Sequence, residues 1–407
     1  MTDLPSSSSS STTSSAPTLP SFLSRPLPGF DPHTTPRLLA LEDDLVAGAP
    51  IEFRGEDDGF VVEEIPSYRP GGVGEHLYLF IEKRGVSTPQ LLSRLREAFG
   101  LHERDIGIAG QKDARGITRQ WVSVPAKAME HHLDADHAAV EAYLDVKVLE
   151  RGRHNNKLRL GHNRGNRFIC RLDGTDEATG NVLRERAIRL SQSGMPNWFG
   201  AQRFGHDDRA LRDGERFCLR GKKPVSKREE FWISALQSSL FNAWLAERVR
   251  EGSWNTALDG DVLEKRENGA PFSCDDVDAD RVRAAAGDVS PTGPLYGRAM
   301  RGAAREALTR ESRSATDLGV DLEALLGHPA FGTGARRVAR LWVGDIDVVV
   351  GAGDTTVSFT LPSGAYASVF LWELVGPRFV DRFFDAPPSP RAPAADAPAT
   401  EAADSSD

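Results

Sequence analysis

Gly110-Gln111-Lys112-Asp113-Ala114-Arg115-Gly116-Ile117-Thr118-Arg119-Gln120-Trp121 lies between two strand-like runs, residues 105–110 and 120–124. A turn between strands is where a rigid scaffold displays functional side chains. One carboxylate, Asp113, stands near Lys112, Arg115 and Arg119 in the chain. Cationic neighbours hold a carboxylate ionised, which suits a nucleophile or an electrostatic partner. A solvated hairpin loop, with Asp as turn former and the basic residues as surface charge, accounts for the same composition.

Working outward, residues 59–64 and 77–82 read as strands bounded by Gly and Pro. Thr88-Pro89 opens a helix, with Thr as cap and Pro in the first turn. Leu91, Leu92, Leu95 and Phe99 line one face and Gly100 stops it. Residues 176–193 form a second helix, before Gly194 and Pro196. The clearest helix covers about 227–250, where Trp232, Leu236, Leu240 and Trp244 recur every four residues. Residues 346–350, 357–361 and 368–374 read as strands that close the folded part. Strands and helices mix without a regular βαβ rhythm, so the expected class is α+β with a mixed, largely antiparallel sheet and flanking helices.

At 407 residues the chain has room for two or three domains. Hydrophobic residues make up 39%, charged residues 27% and aromatics 8%, an ordinary globular mix. No run of 18 uncharged apolar residues offers a membrane span, and residues 1–15 lack the basic and apolar regions of a secretory signal. Cys170, Cys218 and Cys274 never form a CxxC pair, which excludes a disulfide framework and fits a reducing cytoplasm. Net charge is −9, so any nucleic-acid surface must be a local patch. Residues 1–36, rich in Ser, Thr and Pro, and residues 386–407, rich in Ala, Pro and Asp, read as disordered tails.

GxxxxGK[ST], GxSxG and HExxH are absent. His131-His132-Leu133-Asp134-Ala135-Asp136-His137 is rich in metal-ligand types, but it reads as a solvated loop rather than a metal site. Residues 147–167 carry Lys147, Arg151, Arg153, Lys157, Arg159, Arg164 and Arg167 against the single acid Glu150, and lead into Gly165-Asn166-Arg167-Phe168. Basic side chains for phosphates and an aromatic face for a base are what looped RNA requires. A charged strand edge that resists aggregation fits equally well. Pro196-Asn197-Trp198-Phe199-Gly200-Ala201-Gln202-Arg203-Phe204-Gly205 suits a packed loop near a ligand or an aromatic hinge.

Taken in order, these stretches resemble the TruD family of tRNA pseudouridine synthases. Phe60, Val62 and Glu64 match its F-x-V-x-E strand. Gly110, Lys112, Asp113, Thr118 and Gln120 match its G-x-K-D-x-x-A-x-T-x-Q loop, with Gly116 where the family usually has Ala. Leu158-Arg159-Leu160-Gly161 with Gly165-Asn166-x-Phe168 matches the next motif. Asn197-x-Phe199-Gly200 with Gln202-Arg203-Phe204-Gly205 matches N-Y-F-G-x-Q-R-F-G, with Trp198 for the usual Tyr. Ser234-Ala235 with Leu240-Phe241-Asn242, Gly293-Pro294-Leu295-Tyr296-Gly297, and Leu361-Pro362-Ser363-Gly364-Ala365-Tyr366-Ala367 complete the series.

The resemblance implies Asp113 as the catalytic aspartate, Phe168 stacked on the target uracil, Asn166 ordering the catalytic loop, and Lys112 and Glu64 lining the site. It implies a catalytic domain in residues 37–196, an inserted α+β TRUD domain in 197–345, and a return of the C-terminal strands to the first domain in 346–385. The implied reaction turns uridine into pseudouridine in the D-arm region of tRNA, at position 13 in the bacterial branch. It needs no cofactor and no metal, and the family suggests a monomer. Arg153, Lys157 and Arg159 are the expected phosphate contacts. Two other classes fit parts of the chain: a non-catalytic tRNA-binding protein or chaperone on this scaffold, and a small-molecule hydrolase. Asp113 in an otherwise matching loop speaks for catalysis, and no nucleophile–base–orienter set can be named for a hydrolase.

Overall fold

A computed structural model describes residues 18–39, 48–55, 57–112 and 114–385. The α+β class holds, and a ten-stranded mixed sheet organises the molecule. Its first strands are β1 (Ile51–Phe53), β2 (Phe60–Pro66) and β3 (His76–Arg84). Helix α1 (Thr88–Phe99) follows, then β4 (Gly107–Ile108) and β5 (Ile117–Pro125). Helices α2 (Ala126–Ala135) and α3 (His137–Leu144) lead to β6 (Lys147–His154), β7 (Asn163–Asp173) and α4 (Glu177–Ser193).

The next part carries short β8 (Met195–Pro196), then α5 (Arg209–Cys218) and α6 (Lys227–Arg250). A four-stranded sheet follows, built from β9 (Val262–Lys265), β10 (Pro271–Ser273), β11 (Val289–Leu295) and β12 (Ala335–Val338). Helices α7 (Val277–Ala286), α8 (Arg305–Asp317) and α9 (Leu322–Gly327) accompany it. Strand β13 (Arg340–Leu341) pairs with β8, so the entry to this part and its exit lie side by side. The chain then returns to the large sheet as β14 (Gly344–Val350) and β15 (Asp354–Pro362), followed by α10 (Ala367–Val375), β16 (Phe379–Asp381) and α11 (Arg382–Asp385).

The large sheet runs β14-β15-β7-β2-β5-β3-β6. Pairing is antiparallel except β2 with β5 and β1 with β16. Strand β7 is central: it pairs with β15 over nine residues and with β2 along most of its length. Its period-two alternation turns Phe168, Cys170 and Leu172 into the core and Arg167 and Arg171 outward. On the core face lie Leu183, Ala187 and Leu190 of α4 and Phe370, Leu371 and Leu374 of α10. A second core, under α1, α2 and α3, buries Leu77, Leu79 and Ile81 of β3 and Val122 and Val124 of β5.

Four expectations need correction. Residues 368–374 form helix α10, not a strand. All but its first two residues are buried, and an apolar run sealed on every side shows neither period. Residues 131–137 are not a loop: they span the end of α2 and the start of α3, with Met129 and Leu133 buried and Asp136 capping α3 through Ala139 N–H. Ser87 caps α1, accepting from Gln90 N–H, which frees the Thr88 hydroxyl for another task.

The fourth concerns the amino-terminal tail. Residues 1–17 and 386–407 lie outside the described residues, but 18–36 are described and ordered as a strap. Phe22, Leu23 and Leu27 are buried. Leu23 bridges Val320, Leu27 N–H donates to Glu215, and Trp372 Nε1 donates to Pro32 O at 3.2 Å. A few well-placed apolar residues and satisfied backbone groups offset the ordering entropy that the Ser/Pro-rich composition emphasises.

Candidate active site

Lys112, the residue before Asp113, is held from several directions. Its N–H donates to Thr88 Oγ1 at 2.8 Å, and its carbonyl accepts from Thr88 N–H at 3.2 Å and from Lys83 Nζ at 3.3 Å. Thr88 Oγ1 lies 3.1 Å from that carbonyl and 3.0 Å from Gln120 Oε1, and its single proton serves one of them at a time. At the other end, Lys112 Nζ donates to Glu64 Oε2 at 3.2 Å, and Trp121 N–H donates to Glu64 Oε1 at 3.2 Å. Both side chains of this ion pair are almost sealed from solvent. Burial pushes the Glu64 carboxyl above its ordinary range, against the pull of Lys112 and the Trp121 N–H. A pair this deep is costly to break, because either charge alone would lie uncompensated in the sheet.

Asp113 itself lies outside the described residues. Beyond it, the Arg115 guanidinium packs 5.3 Å over the Phe383 ring and donates to Phe383 O. Gly116 has φ 67°, and a Cβ there would fall 2.5 Å from Phe60 O. The departure from Ala at this position therefore meets a backbone requirement. The chain is anchored at 112 and again at 115–116. Arg119, sequence neighbour of the loop, turns elsewhere: it spans Glu63 on β2 at 3.0 Å and Glu82 on β3 at 2.9 Å. Its charge is already balanced by those two acids.

Asn166 and Phe168 approach the Glu64–Lys112 pair through sheet register. Asn166 faces Glu64 across the β7–β2 pair and Leu361 across the β7–β15 pair. Its Oδ1 is buried with no hydrogen-bond partner. Phe168 is only 7% exposed and stacks on Phe359 with ring centroids 5.4 Å apart. Glu64, Asn166 and Phe168 thus lie on the adjoining strands β2 and β7, and Lys112 reaches them from the β4–β5 loop through its ion pair with Glu64.

The basic stretch divides. Arg153 lies on edge strand β6, opposite Leu77, and its guanidinium is held by Glu130 of α2. Arg151 is held the same way by Asp134 at 2.8 Å. Leu77, the register partner of Arg153, faces Val124 near the C-terminal end of β5, whereas Lys112 precedes the N-terminal end of that strand. Lys157 Nζ donates to Arg104 O. Arg159 belongs to a loop tied to the candidate site: Gly161 N–H donates to Ala109 O at 2.9 Å, one residue before Gly110. Arg159, Arg164 and Arg167 are exposed, and no carboxylate lies within ion-pair distance of them among the described residues.

Sequence reasoning passed over Lys83, only 1% exposed and donating to Lys112 O and, at 2.5 Å, to Val86 O. Its period-two neighbours in β3 are apolar, so a lysine there is a signal that a buried carbonyl needs a cation. Thr88 was hidden by its resemblance to a helix cap. Among the described residues no group of three or more His, Cys, Asp or Glu side chains is placed to hold a metal ion, and no helix is long and apolar enough to cross a membrane.

The fold has a solved counterpart. A Methanosarcina mazei protein assigned to tRNA pseudouridine synthase D superposes with TM-score 0.64 at 22% identity, covering 83% of this chain and 95% of its own. The tRNA pseudouridine synthase D family model (TruD) matches residues 45–211 and 225–374. The tRNA pseudouridine synthase D of Anaeromyxobacter dehalogenans strain 2CP-C is 41% identical over 331 residues, 79% of this chain and 92% of that protein. That of a Thermus thermophilus strain is 37% identical over 344 residues, 83% and 92% of the two chains. Fold and sequence together define an isomerase of the pseudouridine synthase class. Within that class, the chain belongs to the tRNA pseudouridine synthase D (TruD) family.

Proposed function

We propose that this chain converts uridine to pseudouridine at position 13, in the D-arm region of tRNA, with Asp113 as the catalytic carboxylate. The observation that carries the reading is the clamp on Lys112: a buried ion pair and a set of hydrogen bonds fix the backbone directly in front of Asp113. Structure invested at that point serves a group that must be aimed.

The chemistry fits the residues. Isomerisation breaks C1′–N1, turns the base and forms C1′–C5; the C5 proton leaves and N1 gains one. The change is redox-neutral and calls for no cofactor. Asp113 acts at the ribose, by attack on carbon or by removal of a proton. Phe168 gives the detached uracil an aromatic face that does not dictate its orientation. Asn166 offers an amide oxygen with no partner of its own, suited to a donor on the loop or the nucleotide. Glu64 and Lys112 line the site. Everting the nucleotide costs a few kcal/mol, and the exposed cations Arg159, Arg164 and Arg167 supply phosphate contacts that offset it.

In this reading residues 37–196 and 346–385 form the catalytic domain and 197–345 an inserted domain. The enzyme works as a monomer in the cytoplasm. The test is to map pseudouridines in tRNA from cells with and without this protein. Loss of pseudouridine at position 13 alone is the expected result; an unchanged map would overturn the assignment.

A further inference from the structure

The inserted part carries a chain of arginines and aromatic rings that begins beside the candidate site. Arg337 packs over the Phe199 ring at 4.0 Å from its centroid, and Arg203 packs over the same ring at 5.1 Å. Arg203 also lies 5.7 Å from the Phe231 ring, and Arg228 lies 5.0 Å from that of Trp232. Two guanidiniums thus share one buried phenylalanine. Among the described residues neither has a carboxylate within ion-pair distance. Burial and the neighbouring Arg203 lower the Arg337 pKa to about 10. Like charges held together without an acid are a standing cost that an anionic ligand would relieve.

The groups are oriented for such a ligand. A guanidinium stacked by its face keeps its in-plane N–H donors for other partners. Arg337 uses Nε on Asn197 O and Nη2 on Asn197 Oδ1 and Gly364 O. Nη1 makes no hydrogen bond among the described residues. It lies 3.9 Å from where a Cβ on exposed Gly364 would sit, so the missing side chain leaves its approach open. Arg203 Nε is buried without a hydrogen-bond partner, so any contact from Arg203 to a ligand would come from its terminal nitrogens.

Position completes the case. Gly364 follows the end of β15, whose Leu361 faces Asn166, which in turn faces Glu64. Away from the site, the line reaches the exposed Phe231 ring and the segment holding Lys222, Lys223 and Arg228, all exposed and without ion-pair partners among the described residues. Phosphate-binding cations interleaved with aromatic faces are the pattern of a single-stranded or looped nucleic-acid surface.

We propose that Arg337, Arg203 and the 220–228 segment form a phosphate track that carries the tRNA backbone from the candidate site across the inserted part, with Phe231 offered to an unstacked base. This rests on the reading of the chain as a tRNA-modifying enzyme. The test measures binding of full-length tRNA over a range of KCl, with pseudouridine formation followed in parallel, for the wild type, Arg203→Gln, Lys222→Glu/Lys223→Glu and Phe231→Ala. Each lost phosphate contact lowers the salt slope by about 0.7–0.9. Arg203→Gln is expected to weaken binding about tenfold and flatten the slope by about one contact. The surface double variant, which touches no core, should flatten it further. Phe231→Ala should weaken binding with the slope unchanged, a split that a general loss of structure would not produce. A wild type that modifies tRNA while all variants keep its affinity and slope would overturn the track alone. A wild type that neither binds nor modifies tRNA would overturn the track and the function together.

Discussion

Glu64 Oε2 accepts from Lys112 Nζ at 3.2 Å in a nearly sealed pocket, so the residue preceding Asp113 is fixed by a charge pair rooted in β2. Lys112→Met should destabilise the fold by roughly 3 kcal/mol, because it strands a buried carboxyl. Lys112→Met/Glu64→Gln should recover part of that loss. Urea unfolding of both singles and the double gives the coupling energy, and simple additivity would contradict a working pair.

Gly116→Ala tests the other anchor. The position has φ 67° and a carbonyl 2.5 Å from the added methyl. A left-handed residue other than Gly costs about 1–2 kcal/mol before any clash is relieved. A fall of about 1–3 kcal/mol in unfolding free energy is expected, with turnover falling further than stability alone explains. Wild-type turnover would show that the Gly116 turn does not aim the loop.

Much of this was legible because the residues concerned work locally. Strands β2 and β3 are short runs rich in β-branched and aromatic residues bounded by Gly and Pro, and α6 repeats a large apolar residue every four positions, so composition, punctuation and period located them. Glu64, Lys112, Asn166 and Phe168 came from motif resemblance; sheet register sets Glu64 beside Asn166 and Phe168, and the ion pair adds Lys112. What stayed hidden depended on distant partners. Helix α10 is buried all round, so its pattern carries no period. The strap over 18–36 is held by Val320, Glu215 and Trp372, hundreds of residues away. Composition counts Arg153 and Arg159 alike, and only the tertiary position of Glu130 separates them.

That separation gives a prediction. Arg159→Glu should weaken tRNA binding and flatten its salt dependence, whereas Arg153→Glu should chiefly disturb the contact with α2. Salt titrations of both variants, read beside their melting temperatures, check this. A larger binding defect in Arg153→Glu would place the RNA along β6 instead.

Glu373 makes stability depend on pH. Burial raises its carboxyl to about 7, opposed by N–H donation from Leu39 and by Arg37 and Arg186. With its folded value above the unfolded one, the fold binds this proton more tightly than the unfolded chain does. The contribution is therefore complete below about pH 4.5 and lost as pH rises to about 7, amounting to about 3 kcal/mol at most. Glu373→Gln, which can still accept from Leu39, should be more stable relative to wild type at pH 8 than at pH 5. Denaturation curves that keep the same offset at both values would contradict this.

The most direct measurement is Asp113→Asn assayed on tRNA for both binding and product. Affinity within about threefold of wild type, equivalent to less than about 1 kcal/mol, with no pseudouridine formed, is the expected result. Pseudouridine at a yield comparable to wild type would contradict the central role of that carboxylate.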